Sequence, residues 1–570
     1  MMPPKDLISA AKGQHPCDLL LNHARIVDVF SGRIVRGGVG IADDRIAGVG
    51  EYPARQTVDL EGRFVAPGFI DSHVHIESSM ACVTEFARAV VVRGTTTVVA
   101  DPHEIANVLG TEGIRYMLES AQGQPVNVFY TLPSCVPATG METAGARLLA
   151  ADLEEFFTEP RIVALGEMMN YPGVLQGDPD VLEKIEAARR HGKPVDGHAP
   201  GLSGRDLLAY VAAGITSDHE CTTAAEAREK LSAGMHVMIR QGTGARNLAA
   251  LLPIVSKRSA RRLMWCTDDR HPHDLLNEGH IDSIVAAAIR GGVAPLTAIQ
   301  MATLNPAERF GLTRLGAIAP GRQADLVVFS DLSAPQIEAV YVRGQLVARN
   351  GRPMPRLTKP DPGPAAPCMN VNLEALDFAV SASGRRVRVM EVVPDQIVTR
   401  QSTETAPLAG GHLVSDPSRD LLKIAVVERH TGSGRIGIGM VRGFGLQRGA
   451  LASSVAHDSH NIIVAGVSDP DMRAAVTAVV RMGGGLAAAA GGELLAGLPL
   501  PVAGLMSVEP VPVVSAALDR LLRAARGLGS PLTDPFMTLS FLALPVIPAL
   551  KITDLGLVDV NEFRHVALFM

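Results

Sequence analysis

The sequence predicts an α/β protein built around a (β/α)8 barrel, with a small β-sandwich divided in sequence by the barrel and an α+β C-terminal domain. Three observations lead to this fold class. Residues 67–315 alternate apolar strands with helical stretches over about 250 residues, which is the usual size of such a barrel. Short strands separated by turns flank this region, at residues 1–66 and 316–351. A Pro-rich stretch at 352–369 reads as a linker, and residues 370–570 follow it as a separate domain.

Eight apolar segments in the middle region are the predicted barrel strands. They are Gly68–Val74, Thr95–Ala100, Val126–Leu132, Ile162–Gly166, Pro194–His198, Ile215–His219, His236–Ile239 and Arg262–Asp268. Helical patterns lie between them, as at Asp180–His191, Ala224–Ala233 and Asp282–Arg290. An open, doubly wound sheet shows the same alternation and is the structural alternative.

The flanking and C-terminal segments show shorter elements. Apolar runs at 18–29 and 324–329 both belong to turn-rich stretches, and these two stretches are expected to form one β-domain. In the C-terminal region we expect strands at 424–428, 436–441 and 462–467. A Gly/Ala-rich stretch at 471–490 is expected to be helical.

The composition describes a chain with a large core and no basic bias. Hydrophobic residues make up 47% of 570 residues, and the net charge of −6 argues against a nucleic-acid partner. Apolar runs are broken well short of the ~20 residues of a membrane span, and no signal-peptide pattern is seen, so we expect no membrane partner and a cytoplasmic location. Six Cys without a C-x-x-C pair indicate neither a disulfide framework nor a zinc finger.

The strongest local signal is PGFIDSHVHIES, residues 67–78. Strand alternation places His73 and His75 on one face, with Val74 on the other. At the carboxyl end of the first barrel strand, both imidazoles would point into the mouth where barrel active sites lie. The alternative for the pair taken alone is two locally hydrogen-bonded residues at a strand end.

Ligand-type residues recur at the ends of later predicted strands, which favours a metal site. Glu167, His198, His219 and Asp268 each follow or end an apolar strand. With the first pair, this gives four His and two carboxylates, enough for a binuclear centre. A Glu can bridge two divalent ions because each carboxylate oxygen can serve one metal.

This constellation resembles the amidohydrolase superfamily and, within it, the adenine deaminase family. The similar stretches in the barrel are PGFIDSHVHIESSM (67–80), ADPHEIANVLG (100–110), GEMMNYPGV (166–174), DGHAPGLSG (196–204), SDHECT (217–222) and CTDDRHPHDLL (266–276). Beyond the linker they are GFGLQRGALASSVAHDSHNIIVAG (443–466) and DPFMTLSFLALPVIPALKITDLGLVDV (534–560). The resemblance thus spans nearly the whole chain, and the C-terminal stretches are the more specific because most amidohydrolases lack that domain.

The resemblance implies a set of ligands and a reaction. The metal ligands would be His73, His75, Glu167, His198, His219 and Asp268, with Glu167 as the bridge in place of the carboxylated Lys of many relatives. Two divalent ions are expected, Mn or Fe by family and Zn as a further option. We expect Asp268, Glu167 and His219 to be catalytic, with adenine as the small-molecule substrate in purine salvage and a homo-oligomer (dimer or tetramer) as the assembly.

The expected chemistry is hydrolytic deamination. Two metals lower the pKa of a bound water, and the resulting hydroxide attacks C6 of adenine. Asp268 accepts the proton and passes it to the departing ammonia, which leaves hypoxanthine. The neighbouring residue Asp269 is the alternative for this role. Strand alternation allows only one of Asp268 and Asp269 to face the mouth.

One departure from related ring deaminases leaves the ring proton donor open. Those deaminases carry a Glu three residues after the His of strand 5, and this Glu protonates the ring nitrogen. In this chain the equivalent position, three residues after His198, is Gly201. The candidates for the donor are Glu77, His103, Glu104 and Glu220, each with a structural role as the alternative. His271 is a further candidate for a contact near the mouth.

Some alternatives also stay open from the sequence. The dense polar cluster His457–Asn461 could reach the barrel mouth, bind an extra ion or cap a turn. Cyclic-amide hydrolysis, or a catalytically inactive scaffold, are the alternative functions. The H-x-E with P-C-x-x-C signature of the other zinc deaminases is absent, which excludes that fold.

Overall fold

Strands from both sides of the barrel region form one nine-stranded sheet in the computed structural model, which describes residues 3–354, 368–394 and 396–570. The strands before the barrel are Cys17–Asp28, Arg33–Ala42, Arg45–Gly50, Ala54–Asp59 and Phe64–Pro67. Those after it are Leu326–Phe329, Ala339–Val342, Gln345–Arg349 and Arg352–Pro353. The two groups join where Phe64–Pro67 pairs antiparallel with Leu326–Phe329. A β-domain divided in sequence by the barrel is therefore confirmed.

Eight parallel strands form the barrel. They are Phe69–His75, Thr95–Ala100, Asn127–Leu132, Ile162–Met168, Val195–Gly197, Ser217–Asp218, His236–Arg240 and Leu263–Cys266, here called strands 1 to 8. Consecutive strands pair in order, except that strand 5 is joined by a single bridge to Ile215, just before strand 6. After strand 8, Asp268–Asp269 pairs with the end of strand 1 and closes the ring. All eight predicted strands are confirmed, and closure excludes the open doubly wound sheet.

Helices surround the barrel strands, and Pro4–Ala11 packs on the nine-stranded sheet. Up to residue 354 they are Pro4–Ala11, Val83–Val91, His103–Leu109, Thr111–Ser120, Ala150–Leu153, Tyr171–Gln176, Pro179–Arg190, Gly204–Ala212, Ala224–Ser232, Leu248–Leu251, Pro272–Asn277, Ile281–Arg290, Pro295–Met301 and Leu304–Arg309. The three predicted helices are among them. In the part of the chain that the structure describes, no helix has both the length and the apolar character needed to cross a membrane.

The C-terminal region contains an eight-stranded sheet. Its strands are Arg386–Val392, Thr399–Thr405, Leu422–Val427, Ile436–Arg442, Ala450–Ser453, Ile462–Gly466, Gly485–Ala490 and Glu493–Pro499. Two small sheets accompany it, formed by Leu408–Ala409 with His412–Leu413, and by Leu550–Thr553, Gly556–Asp559 and Arg564–Val566. The helices are Asp469–Arg481, Val511–Gly527 and Pro535–Phe541.

The sequence prediction was wrong for the second half of the stretch 471–490. The helix ends at Arg481, and Gly485–Ala490 is a strand. Gly483 and Gly484 have φ of 74° and 113°, which ends the helix, and the Ala run that follows is buried between two strands of the sheet. Burial in the sheet thus overrides the helical preference of Ala. Of the predicted linker, residues 355–367 lie outside the described part of the chain.

A buried Lys holds together the loops that follow strands 5 and 6. The Lys230 ammonium lies 3.2 Å from Asp218 Oδ2 and donates to Glu226 Oε1 at 2.8 Å and to the carbonyl oxygen of Ala199 at 2.7 Å. Asp218 also accepts the N–H of Ala199. Because Ala199 and Asp218 are the direct neighbours of His198 and His219, this ion pair holds the backbone that carries the two His.

Replacing Lys230 by Met is expected to destabilise the barrel by about 3–5 kcal/mol, because it leaves the Asp218 carboxylate buried without its cation. Trp265 is the only tryptophan and is buried on strand 8, so its fluorescence during urea unfolding reports on the barrel. The exposed Lys257→Met is the matched control and should leave the midpoint unchanged. Equal midpoints for both variants would contradict a stabilising role for the buried pair.

Candidate active site at the barrel mouth

The six predicted ligand residues converge at the carboxyl ends of the barrel strands. Strand 1 carries His73 and His75, and strand 4 carries Glu167. His198 directly follows strand 5, and His219 directly follows strand 6. Asp268 comes after strand 8, separated from it by Thr267. All are buried except His198, which is partly exposed. The closed ring of strands therefore brings together side chains from five places in the sequence.

Glu167 lies at the centre of this cluster. Its Oε1 is 3.2 Å from His75 Nε2 and 3.8 Å from His73 Nε2. Its Oε2 is 2.6 Å from His198 Nδ1 and 3.2 Å from His219 Nε2. The two carboxylate oxygens thus face two separate pairs of imidazoles, which is the arrangement that a bridging carboxylate requires.

Asp268 faces the first pair. Its Oδ1 lies 3.0 Å from His75 Nε2 and 3.5 Å from His73 Nε2. Its φ of 58° is in the left-handed region, which Asp tolerates better than most residues. Arg240, at the end of strand 7, donates to Asp268 Oδ2 at 2.5 Å. Burial opposes ionisation of Asp268, but the Arg240 charge and the two imidazoles hold the pKa of this carboxyl well below its usual range.

The chemistry of the donor set fits divalent metal ions. His75 Nδ1 lies 3.0 Å from the carbonyl oxygen of Asp101, so its N–H donates there and its Nε2 lone pair points into the cluster. The buried Nε2 of His219 lies 3.2 Å from Glu167 Oε2 but makes no well-aligned hydrogen bond. Among the described residues, several groups of three place their ligand atoms within 4.8 Å of one another: His73–Glu167–His219, His73–His75–Asp268, His75–His103–Glu167 and His198–His219–Glu220.

The carboxylate of Asp101 packs against the backbone at Gly166 and Glu167 and holds Glu167 in place. Asp101 follows strand 2, and its Oδ2 accepts the N–H of Glu167 at 3.0 Å. A Cβ on Gly166 would lie 2.1 Å from that same oxygen and 2.9 Å from the carbonyl oxygen of Leu132. Glycine at 166 is therefore required by the Asp101 carboxylate that packs against it.

Gly166→Ala is expected to displace Asp101 and Glu167 and to weaken metal binding by about 10- to 100-fold, the usual effect of disturbing groups that orient ligands. Metal affinity can be measured by competition with a chromophoric chelator. Gly140→Ala is the control, since a Cβ there meets nothing within 4 Å. Unchanged affinity in the Gly166 variant would contradict the supporting role of Asp101.

Three of the further candidates lie near strands 1 and 2. Glu77 Oε1 accepts the N–H of Ile105, its other oxygen has no partner, and burial raises its pKa to about 7. His103 Nδ1 lies 3.4 Å from Glu167 Oε1. Glu104 contacts two His of the C-terminal domain, His457 and His460.

The remaining candidates follow strand 6, in the case of Glu220, and strand 8, in the case of Asp269 and His271. Glu220 forms a bidentate ion pair with Arg240. Asp269 accepts from Ser78 Oγ at 2.5 Å and lies outside the ligand cluster. His271 is buried, with Nδ1 3.4 Å from Asp534 Oδ2 of the C-terminal domain. Gly201 is exposed on the surface.

A cavity of about 1210 Å³ lies between this mouth and the C-terminal domain. The barrel contributes His198, Glu220, Arg240 and His271 to its wall, and the C-terminal domain contributes Asp534 and Phe541, among others. Of the candidates for substrate contact, Glu220 and His271 are the ones that line it. The cavity gives a small molecule access to the ligand cluster.

The sequence interpretation missed two residues of this site, Arg240 and Asp101. Arg240 ends strand 7 and Asp101 directly follows strand 2. A charged residue at the end of an apolar strand was the signal used for the other ligands. The same signal, applied to strands 2 and 7, would have found both.

Comparison with known proteins gives matches along nearly the entire chain. Residues 64–347 match the amidohydrolase family, and residues 396–564 match the adenine deaminase C-terminal domain. The adenine deaminase of Desulfatibacillum aliphaticivorans is 58% identical over 563 residues, 99% of either chain. Adenine deaminase 2 of Carboxydothermus hydrogenoformans and the adenine deaminase of Methanothrix thermoacetophila are each 50% identical, over 570 and 569 residues and 99% of either chain.

Proposed function

The chain belongs to the adenine deaminase family of the amidohydrolase superfamily, and we propose that it hydrolyses adenine to hypoxanthine and ammonia. The observation that carries this proposal is that similarity to proteins named adenine deaminase covers 99% of the chain, including the C-terminal domain. The C6–N bond of adenine breaks and a C6–O bond to a water oxygen forms, so water is the only co-reactant.

Two divalent metal ions are proposed as the cofactor. One would be held on the side of His73, His75 and Asp268, the other on the side of His198 and His219, with one oxygen of Glu167 facing each. Nitrogen and carboxylate ligands suit Mn and Fe, which the family resemblance favours, and also Zn. When bound, such ions supply Lewis acidity and lower the pKa of water toward neutrality.

The residues around this centre have distinct proposed roles. Asp268 takes the proton from the attacking water on its carboxylate and passes it to the departing ammonia. Arg240 holds Asp268 in its ionised form through the contact at 2.5 Å. Glu167 and His219 act through the metal centre. Glu220 lines the cavity 3.7 Å from His198, and since its pairing with Arg240 keeps it ionised, it is proposed to accept a hydrogen bond from an N–H of the purine.

Ammonia release from a panel of purines and cyclic amides, with metal analysis of the same sample, tests this function. We expect release from adenine with formation of an equal amount of hypoxanthine. Turnover of a hydantoin or lactam instead of adenine would indicate cyclic-amide hydrolysis. Two bound metals without turnover of either class would indicate an inactive scaffold.

The setting of the enzyme is also a proposal. We propose that it acts in purine salvage in the cytoplasm as a homo-oligomer, either a dimer or a tetramer. The support is the family resemblance, together with a small neutral substrate that needs no basic binding surface. Light scattering of the purified protein measures the assembly directly.

A further inference from the structure

A short segment of the C-terminal domain reaches the end of barrel strand 2. This segment, His457–His460, follows the strand Ala450–Ser453 and precedes the strand Ile462–Gly466. Both of its His contact Glu104 of the barrel: His457 Nδ1 lies 2.7 Å from Oε1, and His460 Nε2 donates to Oε2. The three side chains are buried. Two residues of one domain therefore hold a single carboxylate of the other.

The hydrogen bonding of His460 distinguishes an anchor from a metal site. The N–H of Ala456 donates to His460 Nδ1 at 3.1 Å, so Nδ1 is the acceptor of this neutral ring. The proton is then on Nε2, which faces Glu104. Although Glu104, His457 and His460 lie close enough together to hold an ion, His460 uses its Nε2 as a donor. The group is a hydrogen-bonded anchor.

Glu104 connects this anchor to the ligand cluster through His103. The two residues are adjacent at the start of the helix His103–Leu109. His103 Nε2 lies 3.6 Å from Glu104 Oε1, and its Nδ1 lies 3.4 Å from Glu167 Oε1. A buried series of contacts thus runs from His460 through Glu104 and His103 to the central carboxylate of the site.

The segment itself is held firmly. Arg429 is fully buried and donates to the carbonyl oxygens of His460 and Ala503. The side chain of Asn461, the next residue, accepts the N–H of Arg429 and donates to the carbonyl oxygen of Thr143 in the barrel. Because the segment is anchored in both domains, its two His can hold Glu104 in a fixed position.

We propose that His457 and His460 are positioning residues of the active site, which hold Glu104 and, through it, His103 against Glu167. The C-terminal domain then completes the catalytic centre of the barrel. This inference rests on the proposed adenine deamination and explains why a chain of this function keeps the additional domain.

The test compares His460→Ala with His460→Gln, whose side-chain amide replaces the Nε2–H donor. We expect kcat for adenine to fall about 100-fold in the Ala variant, the scale of a small misplacement at a reacting centre, with KM and metal content unchanged. The Gln variant should recover to within about tenfold of the wild type, because the donor to Glu104 is restored. His565→Ala, an exposed His of the same domain, is the control and should keep full activity.

If the His460→Ala protein does not fold, a second pair of variants provides the same test. His457→Ala and His457→Asn form the equivalent pair, since the Asn amide replaces the Nδ1 donor. Three results would each overturn the inference. They are a wild-type kcat in the Ala variants, an equal loss of kcat in the Ala and the amide variants, and the loss of one metal ion per chain in His460→Ala. A wild-type protein without adenine turnover would instead contradict the proposed function on which it rests.

Discussion

Replacing Asp268 by Asn is expected to lower kcat for adenine by about 10³-fold while both metal ions stay bound. The amide keeps one oxygen toward His73 and His75 but cannot accept a proton, so the transfer from water to ammonia loses its carrier. Steady-state kinetics and metal analysis of the same preparation measure the two quantities separately.

The adjacent carboxylate supplies the matched control. Asp269 accepts from Ser78 and lies outside the ligand cluster, and an Asn at this position can keep that hydrogen bond. Asp269→Asn should therefore retain kcat to within about tenfold. Near-normal turnover by Asp268→Asn with its metals intact would show that the proton carrier is a different group.

Replacing Glu167 by Gln is expected to reduce the metal content below two ions per chain and to lower kcat by at least about 10³-fold. The carboxylate presents one oxygen to His73 and His75 and the other to His198 and His219. An amide would turn its NH₂ group toward one of the two pairs, where it cannot bind a cation. Metal analysis after dialysis against metal-free buffer measures the loss.

The exposed Glu183→Gln is the control for the Glu167 variant, because it makes the same chemical change on the surface of the helix Pro179–Arg190. It should bind the same amount of metal as the wild type. Two tightly bound ions in Glu167→Gln would contradict the bridging role of this carboxylate.

The sequence could predict much of the barrel and its mouth because both depend on local patterns. Each strand is a short apolar run, and each ligand-type residue stands where such a run ends. Closure of the barrel then brings His73 and His219 together, with the centroids of their stacked rings 4.1 Å apart. No signal beyond the order of the strands is needed to predict this. The placement of the six residues follows from these patterns, whereas their roles remain predictions.

Contacts between distant segments could not be predicted in the same way. Glu104 and His460 are 356 residues apart, and nothing in the local sequence of either specifies the other. The sequence shows a dense polar cluster at 457–461 but leaves several roles open for it, since the choice among them depends on tertiary packing. The strand Gly485–Ala490 was missed for a related reason, because its Ala residues favour a helix until neighbouring strands bury them.

Metal titration of the metal-free protein, with adenine turnover recorded at each step, tests the central proposal most directly. We expect hypoxanthine and ammonia to form in equal amounts and activity to rise until two ions are bound per chain. Full activity with one ion would contradict the binuclear centre. The absence of adenine turnover with two ions bound would contradict adenine deamination itself.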